Sequence, residues 1–136
     1  MNLAYVITAH KSPNQLLRLL RAIYRPGNAY VLHVDAKADA PVHTAARQFN
    51  EAHTNCSLIR SESIIWGSWR LARAQIRGMK EALRLSDDWS YCLNLTAQDY
   101  PLKTQEQIVQ QLAAGPAGAN YLEVLDFATA LSLIHI

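Results

Sequence analysis

Cysteine is scarce in this 136-residue sequence: Cys56 and Cys92 are the only two, and they sit in separate apolar stretches. No CxxC pair and no Cys/His cluster at zinc-binding spacing occurs, so a disulfide scaffold and a thiolate metal site are excluded. Two reduced, structural thiols are expected. Long apolar runs are missing as well. Nothing approaches the roughly 20 residues a membrane-spanning helix needs, and no basic segment precedes Leu3-Ala4-Tyr5-Val6-Ile7 as it would in a signal peptide. The expected location is cytoplasmic, open to peripheral association with a membrane. An excess of one charge is absent too: 13 Lys and Arg against 11 Asp and Glu leave a formal net charge of +2. That gives no footing for nucleic-acid binding. Three glycine signatures are also lacking. Without GxxxxGK[ST], nucleoside-triphosphate hydrolysis is disfavoured; without GxGxxG after the first strand, so is dinucleotide binding of the usual kind; without GxSxG, so is an α/β-hydrolase.

What is present is a globular composition, 50% hydrophobic and 18% charged, at a length that suits one domain. Leu3 to Ala9 is a near-continuous apolar run of the kind found in strands buried on both faces. Ser12-Pro13-Asn14-Gln15 supplies a capping hydroxyl, a proline for the first helical position and a Gln three residues after the cap. The helix that follows turns Leu16, Leu17, Leu19, Leu20, Ile23 and Tyr24 inward and leaves Arg18, Arg21 and Arg25 outside, until Pro26-Gly27 stops it. Ala29 to Val34 repeats the buried-strand pattern. A weaker helix over Pro41 to His53, a short strand over Cys56 to Ile59 and a long helix over Ser68 to Leu85 come next. The long helix has Trp69, Ala72, Ile76, Met79 and Leu83 at spacings of three and four, which predicts that this face packs inward. Ser90 to Leu95 is a fourth strand, Thr104 with Gln107 forms a capping box for a helix ending near Ala113, and a fifth strand is expected over Tyr121 to Val124. Such alternation predicts an α/β fold: a mostly parallel sheet flanked by helices on both faces.

In such a sheet ligands sit beyond the carboxyl ends of the strands. Four groups of residues fall there: Thr8 with His10, Asp35, the Ile65-Trp66-Gly67 loop, and Gln98-Asp99. Asp35 can accept hydrogen bonds from a ribose hydroxyl or a base N–H, and it can equally cap the turn after its strand. Trp66-Gly67 offers a flat apolar wall and a close backbone approach, or a core tryptophan. Asp99 can bind a sugar hydroxyl or cap the turn before Tyr100-Pro101. His10 and Lys11 can neutralise a phosphate, or be turn residues. The five basic residues of the long helix, from Arg70 to Arg84, read as a solvated face. No metal is expected: the fourth strand ends in Asn94-Leu95-Thr96-Ala97-Gln98-Asp99, without an Asp-x-Asp pair, and Asp87-Asp88 lies at the opposite end of the sheet.

The segments Tyr5-Val6-Ile7-Thr8-Ala9-His10, Leu20-Arg21-Ala22-Ile23-Tyr24, His33-Val34-Asp35, Ile65-Trp66-Gly67 and Asn94 through Thr104 occur in that order. Together they resemble the core-2/I-branching β-1,6-N-acetylglucosaminyltransferase and peptide O-xylosyltransferase family, up to about Val124. The resemblance implies the nucleotide-binding half of a GT-A (Rossmann-like) fold and inverting transfer of N-acetylglucosamine or xylose from a UDP-sugar. The acceptor would be a glycan or other hydroxyl, with no metal and no cofactor beyond the donor. It assigns Thr8 and Asp35 to the uridine, Trp66 and Gly67 to the loop beside the nucleotide, and Asp99 to the neighbourhood of the donor sugar. Thr96-Ala97-Gln98 departs mildly from the family pattern, which leaves the choice of donor open.

Inverting transfer needs a carboxylate base on the acceptor hydroxyl and positive charge on the leaving diphosphate. In the family both come from a later half. Glu123 and Asp126 are the only late carboxylates, and their spacing makes neither a convincing base, so this chain is not expected to catalyse transfer by itself. A non-catalytic nucleotide-binding or interaction module is the alternative. Leu131 to Ile136 resembles the conceptual translation of a transposon-end adapter used in sequencing libraries. Residues 1–130 are therefore expected to be the N-terminal UDP-sugar-binding part of a GT-A domain, and 131–136 a non-native tail.

Overall fold

The computed structural model describes residues 1–65 and 67–122. Four strands and four helices alternate: β1 (Leu3–Ala9), α1 (Pro13–Ile23), β2 (Ala29–Val34), α2 (Ala40–Ala52), β3 (Cys56–Leu58), α3 (Trp69–Leu85), β4 (Tyr91–Thr96) and α4 (Gln105–Ala113). The strands form one sheet in the order β3-β2-β1-β4, and every pairing is parallel. The parallel α/β architecture expected from the alternation is thus observed. Of the expected fifth strand, Tyr121 and Leu122 are unpaired, and the rest, with the tail, lies outside the described residues.

The topology explains which helix covers which face. The chain steps from β1 to β2 to β3 in one direction, then returns past β1 to place β4 on its other side. Right-handed crossovers put helices of opposite steps on opposite faces. Leu3, Tyr5, Ile7 and Ala9 of β1 accordingly pack with α1, α2 and α4, in a core that includes Leu16, Leu19, Leu20, Val42 and Phe49. Ala4 and Val6 point the other way, with Ala29, Val31 and Ala82. A period of two along β1 thereby serves two cores, which is why its sequence shows no polar alternation.

Three local details decide how these elements sit. The capping box of α4 forms as expected: Thr104 Oγ1 accepts from the Gln107 N–H at 3.3 Å, and Gln107 accepts from the Thr104 N–H at 3.0 Å. The Ser12 cap does not. Ser12 has φ 58°, in the left-handed region, and its hydroxyl makes no capping bond. Instead its carbonyl accepts the N–H groups of Gln15 and Leu16, so the backbone does what the side chain was expected to do.

The third detail corrects the expected packing face of α3. Ala74, Gly78 and Ala82 are its buried residues, while Trp69, Ile76 and Leu83 are exposed, Trp69 by 68%. Small residues every four positions let the helix lie close against the sheet. A β-carbon on Gly78 would collide with the Val6 side chain. Trp69, Ile76 and Leu83 are displaced to an outward side of the helix, while Met79 of the same expected stripe packs against the sheet.

Both cysteines are free thiols, as expected. Burial pushes Cys56 up to about 12 and raises Cys92 as well, which disfavours the nucleophilic thiolate at both.

Candidate functional site

Between β1 and β4 the strand order reverses, and loops leaving a parallel sheet at such a switch point part to form a crevice. Thr8 stands at that point. Its register partners are His33 on β2 and Thr96 on β4, so the three side chains form a row on the α3 side of the sheet. Thr8 Oγ1 lies 3.5 Å from the Leu95 carbonyl, to which it donates. The loops after β2 and β4 are both pinned to the end of β1: Asp35 N–H donates to the Ala9 carbonyl and Ala97 N–H to the Thr8 carbonyl, each at 2.8 Å.

Asp35 is 7% exposed. Its Oδ1 accepts the Lys37 N–H at 2.9 Å and its Oδ2 accepts the Ile64 N–H at 3.3 Å. The first bond is the turn cap weighed in the sequence. The second reaches 29 residues along the chain to the segment after β3, a strap running over Ile59–Ile65 across the strand ends. Further bonds fasten this strap. Ala36 N–H donates to the Glu62 carbonyl at 3.1 Å, Lys37 Nζ donates to the Ile64 carbonyl at 2.6 Å, and the Glu62 N–H donates to His33 Nε2 at 3.2 Å. The Glu62 carboxylate turns to α3, where it accepts from Arg73 at 2.9 Å and pairs with Arg77. The hydrogen bond from Arg73 and the charge of both guanidinium groups hold that carboxyl below its usual range.

Gly67 has φ 73°, with open space where a β-carbon would stand, so the need for glycine there is conformational and not steric. Ser68 caps the helix: its Oγ accepts the Arg70 N–H at 3.3 Å and donates to the Ile65 carbonyl at 2.6 Å. Trp66, assigned by resemblance to the nucleotide's neighbourhood, lies outside the described residues.

On the other flank Asp99 is exposed, and its Oδ2 accepts the Thr96 N–H at 2.7 Å, closing the turn after β4. It lines a depression of 120 Å³ with Gln15, Arg18, Gln98 and Tyr100. The Arg18 guanidinium stands 4.8 Å over the Tyr100 ring. His10 and Lys11 are exposed beyond β1.

Thr8, Asp35, Gly67 and Asp99 are therefore all at the carboxyl end of the sheet, as the strand assignments required. Asp87-Asp88 is at the amino end, where Asp88 accepts from Asn2 at 2.9 Å. Among the described residues no three of His, Cys, Asp and Glu gather as metal ligands, and no helix is long and apolar enough to cross a membrane. Sequence reasoning missed His33 and Glu62 as parts of the site. The available signal was Glu62 followed by Arg73 and Arg77, two cations four residues apart on one helix. A hollow of 680 Å³ lies elsewhere, along the outer edge of β4 between Met79, Asn94, Leu112 and Tyr121. Among the described residues no strand pairs with that edge, and no charged side chain lines the hollow.

The sequence model of the family described as "Core-2/I-Branching enzyme" matches residues 3–130. Beta-1,3-galactosyl-O-glycosyl-glycoprotein beta-1,6-N-acetylglucosaminyltransferase from Homo sapiens is 37% identical over 122 residues, covering 89% of this chain and 28% of the relative. N-acetyllactosaminide beta-1,6-N-acetylglucosaminyl-transferase from Homo sapiens is 36% identical over 111 residues, 81% of this chain and 28% of the relative. The chain thus spans little more than a quarter of the length of these relatives. With the match running from the first strand past the last helix, the chain belongs to the Core-2/I-Branching enzyme family.

Proposed function

We propose that this chain forms the donor-nucleotide side of a glycosyltransferase that moves N-acetylglucosamine from a UDP-sugar to a glycan hydroxyl, with inversion and without a metal. The observation that carries the reading is that Thr8 at the switch point, Asp35 after β2 and Asp99 after β4 stand at the carboxyl ends of neighbouring parallel strands in a member of this family. N-acetylglucosamine is favoured over xylose because the relatives are named for its transfer. Metal independence is supported by the β4 loop, where Asp99 is the only carboxylate and is committed to the Thr96 amide.

Thr8 and the buried Asp35 have different parts in this reading. Thr8 offers a half-buried hydroxyl at the crevice. Asp35 fixes the strap, and so shapes the wall against which the uridine lies. The Asp35 carboxylate already accepts two backbone N–H groups and the Asp99 carboxylate one, through Oδ2, and both serve here as organisers of their loops. By its likeness to the family, the base and the cation for the leaving diphosphate are assigned to a later half, and the 136 residues alone bind donor without turning it over.

Calorimetric titration with UDP and with UDP-N-acetylglucosamine, with and without Mn, tests this. Binding that needs no metal and weakens in Thr8→Val and Asp35→Ala is expected. Well-folded protein that binds neither ligand would leave only the fold, and turnover by the 136-residue chain would overturn the division of labour.

A further inference from the structure

His33 is 1% exposed, on the α3 side of β2, two residues before Asp35. A buried imidazole is costly unless both nitrogens are satisfied, yet among the described residues Nδ1 has no hydrogen-bond partner. Nε2 is engaged, and it accepts the Glu62 N–H. An acceptor at Nε2 means that the proton sits on Nδ1, so the ring is neutral. An apolar side chain of the same shape would avoid the orphaned nitrogen, but it would leave the Glu62 N–H without its bond. What this position gains from histidine is one acceptor aimed at the strap.

We propose that His33 is a positioning residue of the donor site, whose neutral imidazole latches the Ile59–Ile65 strap through the Glu62 amide and so presents the Ile64 N–H to Asp35. This rests on the donor-site reading given above. The two bonds are in series along one short segment: Glu62 is held from below by His33, and Ile64, two residues on, is held by Asp35. Slack at the first bond displaces the second.

The latch has a built-in dependence on protonation. Proton uptake at Nε2 would set an N–H against the Glu62 N–H and break the bond. Burial opposes that uptake and lowers His33 from its ordinary value, outweighing the Glu62 and Asp35 carboxylates, which favour it. Arg77, facing the ring from α3, also disfavours it, and Arg73 acts on the ring only through Glu62. The latch is closed at neutral pH and opens on acidification.

Two variants separate the acceptor from the titration. His33→Gln keeps an acceptor near the Nε2 position and does not titrate; His33→Phe keeps the shape and has no acceptor. In the protein at the full length its gene encodes, protection of the Glu62 and Ile64 amides from hydrogen exchange is measured with UDP affinity between about pH 5 and 8. Wild type should lose amide protection and about five- to tenfold in UDP affinity towards the acid end, the worth of one good hydrogen bond. The Gln variant should show a flat profile, and the Phe variant should be weak throughout. A Gln variant that titrates like wild type overturns the proposal, as does a Phe variant with wild-type protection and affinity. If the Phe variant does not fold, the Gln profile alone decides. Should the amides behave as expected while UDP binds no form at any pH, the donor-site reading falls and the latch stands.

Discussion

Gly78 of α3 rests against Val6 of β1 so closely that no β-carbon fits between helix and sheet. Gly78→Ala would gain about 1 kcal/mol in helix propensity and meet an overpacking cost of about 1–3 kcal/mol. A net loss of stability is expected in thermal or urea unfolding. Val6→Ala opens the space the new methyl needs. The double variant should therefore be more stable than the sum of the two single losses, and strict additivity would show that the contact is not the cause.

Asp35 is expected to behave as an organiser of the strap before it behaves as a ligand. Asp35→Ala removes the acceptor for both the Lys37 and Ile64 amides, and should lower protection of those two amides even without nucleotide. Asp35→Asn retains one carbonyl acceptor and should fall between wild type and Ala. Equal protection in all three would mean that other bonds hold the loop.

Glu81 accepts from Arg84 and from Ser57, and the Arg84 bond is the main cause of its carboxyl being held down at about 2. A depressed carboxylate contributes stability that is complete above its unfolded value, about 4.3, and is lost as pH falls towards 2. His33 gains a charge on protonation where Glu81 loses one, with the same outcome: its lowered value means that the unfolded chain takes up the proton first, so stability falls as pH drops below about 6.5. Unfolding followed against pH should therefore show two acid losses. Glu81→Gln should remove part of the lower one, and His33→Gln the upper one.

Thr104→Ala should cost about 1 kcal/mol, because it removes one half of the capping box of α4. Thr104→Ser should restore most of it. The measurement is denaturant midpoint, and an Ala variant as stable as wild type would mean that α4 is held chiefly by the bonds from Tyr5 and Asn28 to Gln105.

The sequence made some parts of this molecule legible and hid others for physical reasons. β1 and β2 were readable because strands buried on both faces are apolar at every position, and α4 because its cap is a local exchange between two side chains. α3 was misread at its contact face. Periodicity weights large apolar residues, whereas close approach to a sheet selects Ala74, Gly78 and Ala82, so most of the loudest stripe in the sequence faces outward. The site followed the same division. Placing Thr8, Asp35 and Asp99 at strand ends needed only strand boundaries. The His33 and Asp35 tethers to Glu62 and Ile64 each span 29 residues, and no local pattern announces them.

The sheet order also sets a timetable for folding. The neighbours of β1 arrive after very different lengths of chain: the Leu3 N–H reaches Asn28 across 25 residues, while Asn2 reaches Asp88 beside β4 across 86. Closing the longer loop costs about 1 kcal/mol more in chain entropy. The unit β1-α1-β2 can therefore assemble early from near neighbours, and β4 docks onto a finished edge. The crevice between β1 and β4, where the donor is proposed to bind, is in that order the last part of the sheet to exist.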